Sequence, residues 1–216
     1  VLITEVNIKG IGGHPEQKRL ELAAYDVIKI RPGSTVSRAE LKLDLNAIYS
    51  TGWFSNVRIE PKNGPLGVQL LVLVKPNPLL RSVELEPNNA ELPLDVIRQV
   101  FRTDYGRTLN LNTLQLRIKE LQKWYKDAGY SLARITSPNR VNSDGVVRLR
   151  TTQGVVAGIE LRFINQEGEN SDEEGVLLKG KTRPWVITRE ISTKPGQIFI
   201  ENDLNLTLSG FMEHLY

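Results

Sequence analysis

The sequence predicts an α+β fold built from one small unit, strand-helix-helix-strand-strand, used repeatedly. Three observations predict it. Segments of alternating apolar residues open near Leu2, Arg81 and Ile159. A glycine follows the first helix of each unit at a constant distance: Ile28, Phe101 and Ile191 each stand five residues before Gly33, Gly106 and Gly196. A glycine-aromatic exit, Gly52-Trp53 and Gly129-Tyr130, precedes a pair of strands with a polar tip. The units are read as 1–75, 76–154 and 155–216. Each is expected to pack two helices on a small three-stranded mixed sheet. The third is expected to stop at Phe211–Tyr216, before its closing hairpin.

Each element has a local reason. In the opening strands, Leu2, Thr4, Val6 and Ile8 alternate with Ile3, Glu5, Asn7 and Lys9, Arg81, Val83 and Leu85 with Ser82, Glu84 and Glu86, and Ile159, Leu161 and Phe163 with Glu160 and Arg162. Period two means a strand with one buried face. Prolines then mark helix starts: Pro15 before Leu20, Ala24 and Ile28, Pro93 before Ile97 and Phe101, Pro184 before Val186, Ile187 and Ile191. A proline suits the first turn, where its missing N–H has no partner to lose. The second helix starts at a capping box, Ser37-Arg38-Ala39-Glu40, or at the near-box Asn112-Thr113-Leu114-Gln115. Leu41, Leu45, Ile48 and Tyr49 are expected on one helix face, and Leu114, Ile118, Leu121 and Tyr125 on the other unit's. Hairpin tips are expected at Lys62-Asn63-Gly64 and Asn142-Ser143-Asp144-Gly145. Asn165 to Gly175 reads as an acidic polar loop.

Composition narrows the function. The net charge of +3 is too small for a dedicated nucleic-acid binder, and it divides as +3, +4 and −4 over the three units. A basic front and an acidic back fit either a graded polypeptide-binding surface or ordinary solvated faces. The absence of cysteine excludes disulfides and thiol chemistry, and is compatible with an oxidising compartment. No run reaches the ~18 apolar residues of a membrane helix. No signal-peptide pattern precedes the strand at Val1 to Ile8, so the chain reads as a mature or excised fragment.

Catalysis and cofactor binding find little support. Gly10-Ile11-Gly12-Gly13 lacks the spacing and the Lys-Ser/Thr of a phosphate loop and reads as a flexible connector. His14 and His214 lie at opposite ends of the chain, so no metal site or catalytic dyad is expected on them. Asp172, Glu173 and Glu174 read as a solvated loop, and the aromatic residues as closures of helix-strand corners. No catalytic residue, metal or cofactor is expected, and the protein is not expected to be an enzyme. Asn205-Leu206-Thr207 is a formal glycosylation sequon. A nucleic-acid-binding array of small α/β modules is the alternative. Its G-x-x-G loop between the helices is replaced by Arg31-Pro32-Gly33-Ser34, Tyr105-Gly106-Arg107-Thr108 and Lys194-Pro195-Gly196-Gln197.

The element order, the Pro-Gly turn and the exit Tyr49-Ser50-Thr51-Gly52-Trp53-Phe54-Ser55-Asn56-Val57 together resemble POTRA modules, the polypeptide-transport-associated domains of outer-membrane β-barrel assembly factors. The second exit, Tyr125 to Ala133 with Gly129 and Tyr130, is similar. A tandem set of about three resembles the cyanobacterial members and the import channel of the chloroplast outer envelope. The resemblance implies a place at the outer membrane, on the periplasmic side or in the intermembrane space of a plastid envelope. It implies unfolded outer-membrane proteins or translocating polypeptides as partners, together with accessory assembly subunits and a β-barrel of the same protein. It implies no nucleic acid.

A physical mechanism stands beside the resemblance. If the last strand of each unit lies in the middle of its sheet, the preceding strand has a free edge. Those edges would be Val57, Arg58, Ile59 and Glu60, and Leu132, Ala133, Arg134, Ile135 and Thr136. Unpaired backbone groups there can accept an extended client strand, and a proline at Arg58 or Arg134 should remove one donor. Lys75-Pro76-Asn77-Pro78 reads as a hinge with little apolar surface to share, and Gly154-Val155-Val156-Ala157-Gly158 as a fixed junction that buries its valines.

Overall fold

The computed structural model describes residues 2–86, 92–137, 141–165, 167–172, 174–180 and 182–201. Glu173, the sequon at Asn205, His214 and the chain's last residues, with the expected early stop, lie outside them. The chain divides into two compact units, Val1–Leu121 with Ile135–Thr151, and Gln122–Arg134 with Thr152–Tyr216.

The first sheet is formed by β1 (Ile3–Lys9), β2 (Phe54–Gly64) and β3 (Gly67–Pro76), in the order β1-β3-β2. The last strand is central: β3 runs parallel to β1 and antiparallel to β2. Helices α1 (Gln17–Tyr25) and α2 (Arg38–Ser50) lie between β1 and β2 in sequence, which allows the parallel crossover. Leu20 and Ala24 of α1, Ile48 of α2, Phe54 and Val57 of β2, and Leu70, Val72 and Val74 of β3 fill one core. The second sheet repeats the order with β4 (Ser82–Glu86), β5 (Arg134–Thr136) and β6 (Val146–Thr152) as β4-β6-β5, with β4 parallel to β6. Helices α3 (Leu94–Val100) and α4 (Leu111–Asp127) separate β4 from β5. The fold class is therefore the α+β arrangement expected.

The glycine turns at Gly33, Gly106 and Gly196 are the most regular feature. Gly33 donates its N–H to Ile3 O at 2.7 Å, and Ile3 N–H returns to Ser34 O at 2.9 Å. Gly106 and Arg107 make the same pair with Leu80, both at 2.8 Å, and Gly196 and Gln197 make it with Val156 at 2.8 and 2.9 Å. All three glycines have positive φ, at 90, 75 and 85°. The same two-bond clamp thus fixes the turn to the opening segment three times.

Several sequence expectations shift. The first hairpin turns at Pro65-Leu66, because Asn63 and Gly64 still pair with Val68 and Gly67. The second turns at Asn142–Gly145 as expected, closed by Gly145 N–H on Asn142 O. Pro93 is an N-cap residue, Pro184 opens α5 (Pro184–Glu190), and Pro15 precedes the cap of α1 at Glu16. The capping box at Ser37 is present in full. In α4 the cap is Asn110: its Oδ1 accepts from Asn112 N and Thr113 N at 2.9 and 3.1 Å.

Tyr49 is 51% exposed, whereas Tyr125 is 1% exposed. The glycine sets the register: Tyr125 stands four residues before Gly129, and Ile48 holds that position before Gly52. Asp44, rather than an apolar residue, completes the buried stripe of α2. Its Oδ2 accepts from Lys29 N and Ile30 N, both at 2.9 Å. Gly10 passes close to β3, where a Cβ would lie 2.1 Å from Val74 O, whereas Gly12 and Gly13 have open space around them.

Residues 159–163 are not a strand. In both sheets the opening strand exists as the parallel neighbour of the closing one, and among the described residues 159–163 have no such neighbour. Asn165 to Gly175 is a loop organised by two side chains. Asn165 Oδ1 accepts from Glu167 N and Glu169 N, and Asp172 Oδ1 from Glu174 N and Val176 N. Helix α5 buries none of its residues fully.

Candidate functional site

The expected edge in the first sheet is present. β2 is outermost, and Val57, Arg58, Ile59 and Glu60 pair on one side only, with Val74, Leu73, Val72 and Leu71. The direction of its backbone groups follows from one bond. Val68 donates to Leu2 O at 2.9 Å, so Val68 faces β1. Along β3 the facing alternates, so Gln69, Leu71 and Leu73 turn to β2 and bond Lys62, Glu60 and Arg58. Val57, Ile59 and Pro61 therefore point away from the sheet. Pro61 has no N–H, and an outward position on an edge is where a strand tolerates that loss. The outward donors nearest the middle of β2 are thus Val57 and Ile59, and the row of donors is interrupted at Pro61.

This geometry corrects the expected role of Arg58, whose N–H belongs to the β3 ladder. A proline there would damage the sheet instead of its free edge. Proline-in-strand was the signal available in the sequence for an edge. The second edge is shorter than expected. Only Arg134, Ile135 and Thr136 form β5, with Ile135 buried. Leu132 and Ala133 belong to the preceding turn, where Ala133 N–H bonds Tyr130 O at 3.0 Å and Leu132 packs against Gly154. The three-residue β5 leaves little backbone for a client.

The glycine-aromatic exits do not line either edge. Trp53 lies under Arg19, whose guanidinium carbon is 4.4 Å from the ring centre, and Phe54 is fully buried. Tyr125 meets Trp124 and Tyr130 edge-on at 5.8 and 5.9 Å. These residues close corners, as expected.

The exits also carry a role that the sequence reading missed. The carbonyl ends of α2 meet the amide start of α4. Gly52 O accepts from Leu111 N at 2.9 Å and from Asn77 Nδ2 at 2.8 Å. Thr51 O accepts from Asn110 Nδ2 at 2.8 Å, and Ser50 O from Asn112 Nδ2 at 3.0 Å. Asn77 Nδ2 also reaches Leu109 O at 2.9 Å, and Asn77 N–H reaches Trp53 O at 2.8 Å. Carbonyls at a helix C-terminus carry partial negative charge and amides at an N-terminus partial positive charge, so the end-on arrangement is favourable. Gly52, at φ 78°, leaves no room for a Cβ, which would lie 3.0 Å from Asn110 Oδ1. The Gly129 exit makes the matching bond, with Glu201 N–H on Gly129 O at 2.9 Å.

A second contact runs beside the first. Glu16 Oε2 accepts from Thr108 N at 2.7 Å and Thr108 Oγ1 at 2.5 Å, while its Oε1 pairs with Arg19 at 2.9 Å. Burial opposes ionisation of Glu16. The hydroxyl and amide of Thr108 and the Arg19 guanidinium outweigh it, so the carboxyl titrates below its ordinary value. The premise of a hinge at Lys75–Pro78 is therefore corrected: hydrogen bonds cross the junction, and Trp53 lines one cavity with Leu80, Phe101, Leu109 and Leu114. Of the two valines in Gly154–Gly158, Val155 is exposed and Val156 half-buried, so the junction buries them only in part.

Nothing in the turns suits a phosphate backbone, because the amides of Gly33, Gly106 and Gly196 are already bonded to carbonyls. Among the described residues, no three His, Asp or Glu side chains are grouped to hold a metal.

Repeated three-stranded mixed sheets, each with two helices and a clamped glycine turn, define a tandem α+β repeat protein. Residues 79–154 match the family model described as POTRA domain, ShlB-type. The three POTRA domains from the periplasmic domain of Omp85 from Anabaena are 40% identical, with a TM-score of 0.84 over 99% of this chain and 85% of that one. The N-terminal domain of Omp85 from Thermosynechococcus elongatus is 38% identical, with a TM-score of 0.79 over 99% and 86%. Outer envelope protein 80, chloroplastic, of Arabidopsis thaliana is 31% identical over 99% of this chain and 29% of its own length. The chain belongs to the POTRA domains of the Omp85 family. It spans less than a third of the curated relatives it matches.

Proposed function

We propose that this chain is the polypeptide-docking region of an outer-membrane or outer-envelope assembly or translocation factor, with 1–75, 76–154 and 155–216 as its modules. It receives unfolded clients by strand addition on β2. The observation that carries this reading is the outward backbone of Val57 and Ile59 on an eleven-residue edge strand. Backbone pairing supplies affinity and reads little sequence, which suits many different clients. Clients would be unfolded outer-membrane proteins or translocating polypeptides. Accessory subunits would use the remaining surfaces, and a β-barrel of the same protein would lie beyond this region. The region would face the periplasm or the intermembrane space, in line with the periplasmic origin of the Anabaena relative.

The test is amide hydrogen exchange with an unstructured peptide from a barrel protein. Slower exchange at Val57 and Ile59, with Arg58 and Glu60 unchanged, is the expected outcome. Uniform exchange along β2 with peptide bound elsewhere would reject the β2 edge.

A further inference from the structure

A groove between the opening strand and the first helix occurs in both sheets, but with different charge. In the first sheet it lies between β1 and α1, and its lining carries both Lys18 and Glu21. In the second it lies between β4 and α3, and its lining carries Arg81 and Arg98 with no carboxylate. Counted back from the clamped glycines, Glu21 stands twelve residues before Gly33, and Leu94 twelve before Gly106. Tyr25 stands eight before Gly33, and Arg98 eight before Gly106. Where the first groove holds a carboxylate the second holds a leucine, and where the first holds a phenol the second holds a guanidinium.

The second groove has a volume of about 380 Å³. Buried Val83 and Ile97 give it an apolar wall, and Leu94, 66% exposed, extends that wall to solvent. Tyr105 closes the lining with a phenol. Burial pushes this phenol above its ordinary value against the pull of the nearby Arg98 charge, so it stays protonated and able to donate. The cations are poorly neutralised. Arg98 meets Asp95 at 3.5 Å, with side chains 72% and 92% exposed, a pair that contributes little. Arg81, and Arg102 and Arg107 on either side of Tyr105 in sequence, have no ion pair among the described residues. Asp104, the acid next to Tyr105, is held by Arg117 at 2.7 Å.

We infer that this groove binds an anionic membrane lipid, with a singly charged phosphodiester head group between Arg81 and Arg98 and the start of an acyl chain along Val83, Ile97 and Leu94. A phosphodiester offers acceptors only, which matches a lining whose charged and phenolic groups are all donors. An acidic peptide would bring backbone N–H donors as well, and the side chains of the groove supply no charged acceptor for them. Exposed apolar surface rimmed by cations suits an anionic bilayer surface, where each arginine adds about fivefold in affinity. The inference is independent of strand addition on β2, which uses other residues.

The experiment is vesicle flotation with the whole chain. Binding to phosphatidylglycerol vesicles is expected to exceed binding to phosphatidylcholine vesicles by about tenfold or more. Arg81→Gln, Arg98→Gln and Leu94→Ser should each weaken it by about fivefold. Lys62→Gln on β2 removes the same net charge as either arginine variant and should change binding by less than about twofold. All four positions are exposed, so the fold is expected to survive each change. Equal losses for Arg98→Gln and Lys62→Gln would reduce the attraction to net charge and overturn the groove. Equal affinity for soluble glycerophosphoglycerol would make a free phosphodiester the ligand and overturn the lipid. An acidic peptide that binds through Arg81 and Arg98, with no binding to vesicles of either composition, would overturn it in favour of a protein partner.

Discussion

Asp44 shows how a single residue ties two elements of the first sheet's helical layer together. It is buried, and its Oδ2 takes the amides of Lys29 and Ile30, in the first half of the α1–α2 connection. Asp44→Ala removes the acceptor and leaves two amides short of a partner. We expect a loss of about 2–4 kcal/mol in urea unfolding, given the cost of unsatisfied buried groups. Asp44→Asn, which keeps an oxygen, should lose less. Glu16 adds a pH dependence. Its folded-state value is lowered, so the contact to Thr108 stabilises above the ordinary value near 4.5 and is lost as pH falls through the lower folded value. Wild type should therefore lose stability between neutral pH and pH ~3.5 more steeply than Glu16→Gln, which retains an acceptor but no charge. Equal slopes would remove Glu16 from the account. Neither residue was legible in the sequence. An aspartate inside a helix and a glutamate before one look like solvent-facing charges until their distant amide partners are known.

Elements were legible where one periodic face decides them. Leu114, Ile118, Leu121 and Tyr125 repeat at helical spacing and all are buried in α4. Pairing was less legible, because a strand is a property of two segments. Residues 159–163 alternate as β1 and β4 do, yet form no strand among the described residues. Alternation also hides which backbone groups face outward, so the sequence does not distinguish Arg58, whose amide faces β3, from Ile59, whose amide faces out. The correction yields a paired prediction. Ile59→Pro should weaken binding of an extended peptide by more than Ile59→Ala does, the difference reporting the lost amide, with the fold retained. Arg58→Pro should instead cost about 1–3 kcal/mol of stability by removing a ladder bond. Thermal unfolding and peptide titration on the same variants separate the two effects. The opposite pattern would mean that the register between β2 and β3 is misassigned.

The module frame explains why the two junctions differ although they share a bond. Gly52 O meets Leu111 N and Gly129 O meets Glu201 N, each five residues beyond a clamped glycine. Around the first bond stand Asn77 and Asn110, which add four side-chain bonds to carbonyls or amides besides the cap of Thr113. At the equivalent places of the second stand Gln153 and Ile200. The Nε2 of Gln153 is buried with no hydrogen-bond partner among the described atoms, and isoleucine offers none. Buried amides that hold two carbonyls are costly to remove, and one that holds none is not. Asn77→Ala should therefore destabilise by about 1–3 kcal/mol, and Gln153→Ala by less than about 0.5 kcal/mol. We expect the asparagine bonds to help set the orientation of the proposed modules 1–75 and 76–154. The double substitution Asn77→Ala with Asn110→Ala should widen the range of orientations between 1–75 and 76–154 in residual dipolar couplings. Leu111 N–H on Gly52 O, Asn77 N–H on Trp53 O, Asn112 Nδ2 on Ser50 O and the two bonds from Thr108 to Glu16 would remain, so a partial widening is expected. An alignment tensor unchanged by the double substitution would show that the linker itself, rather than the asparagines, sets the angle.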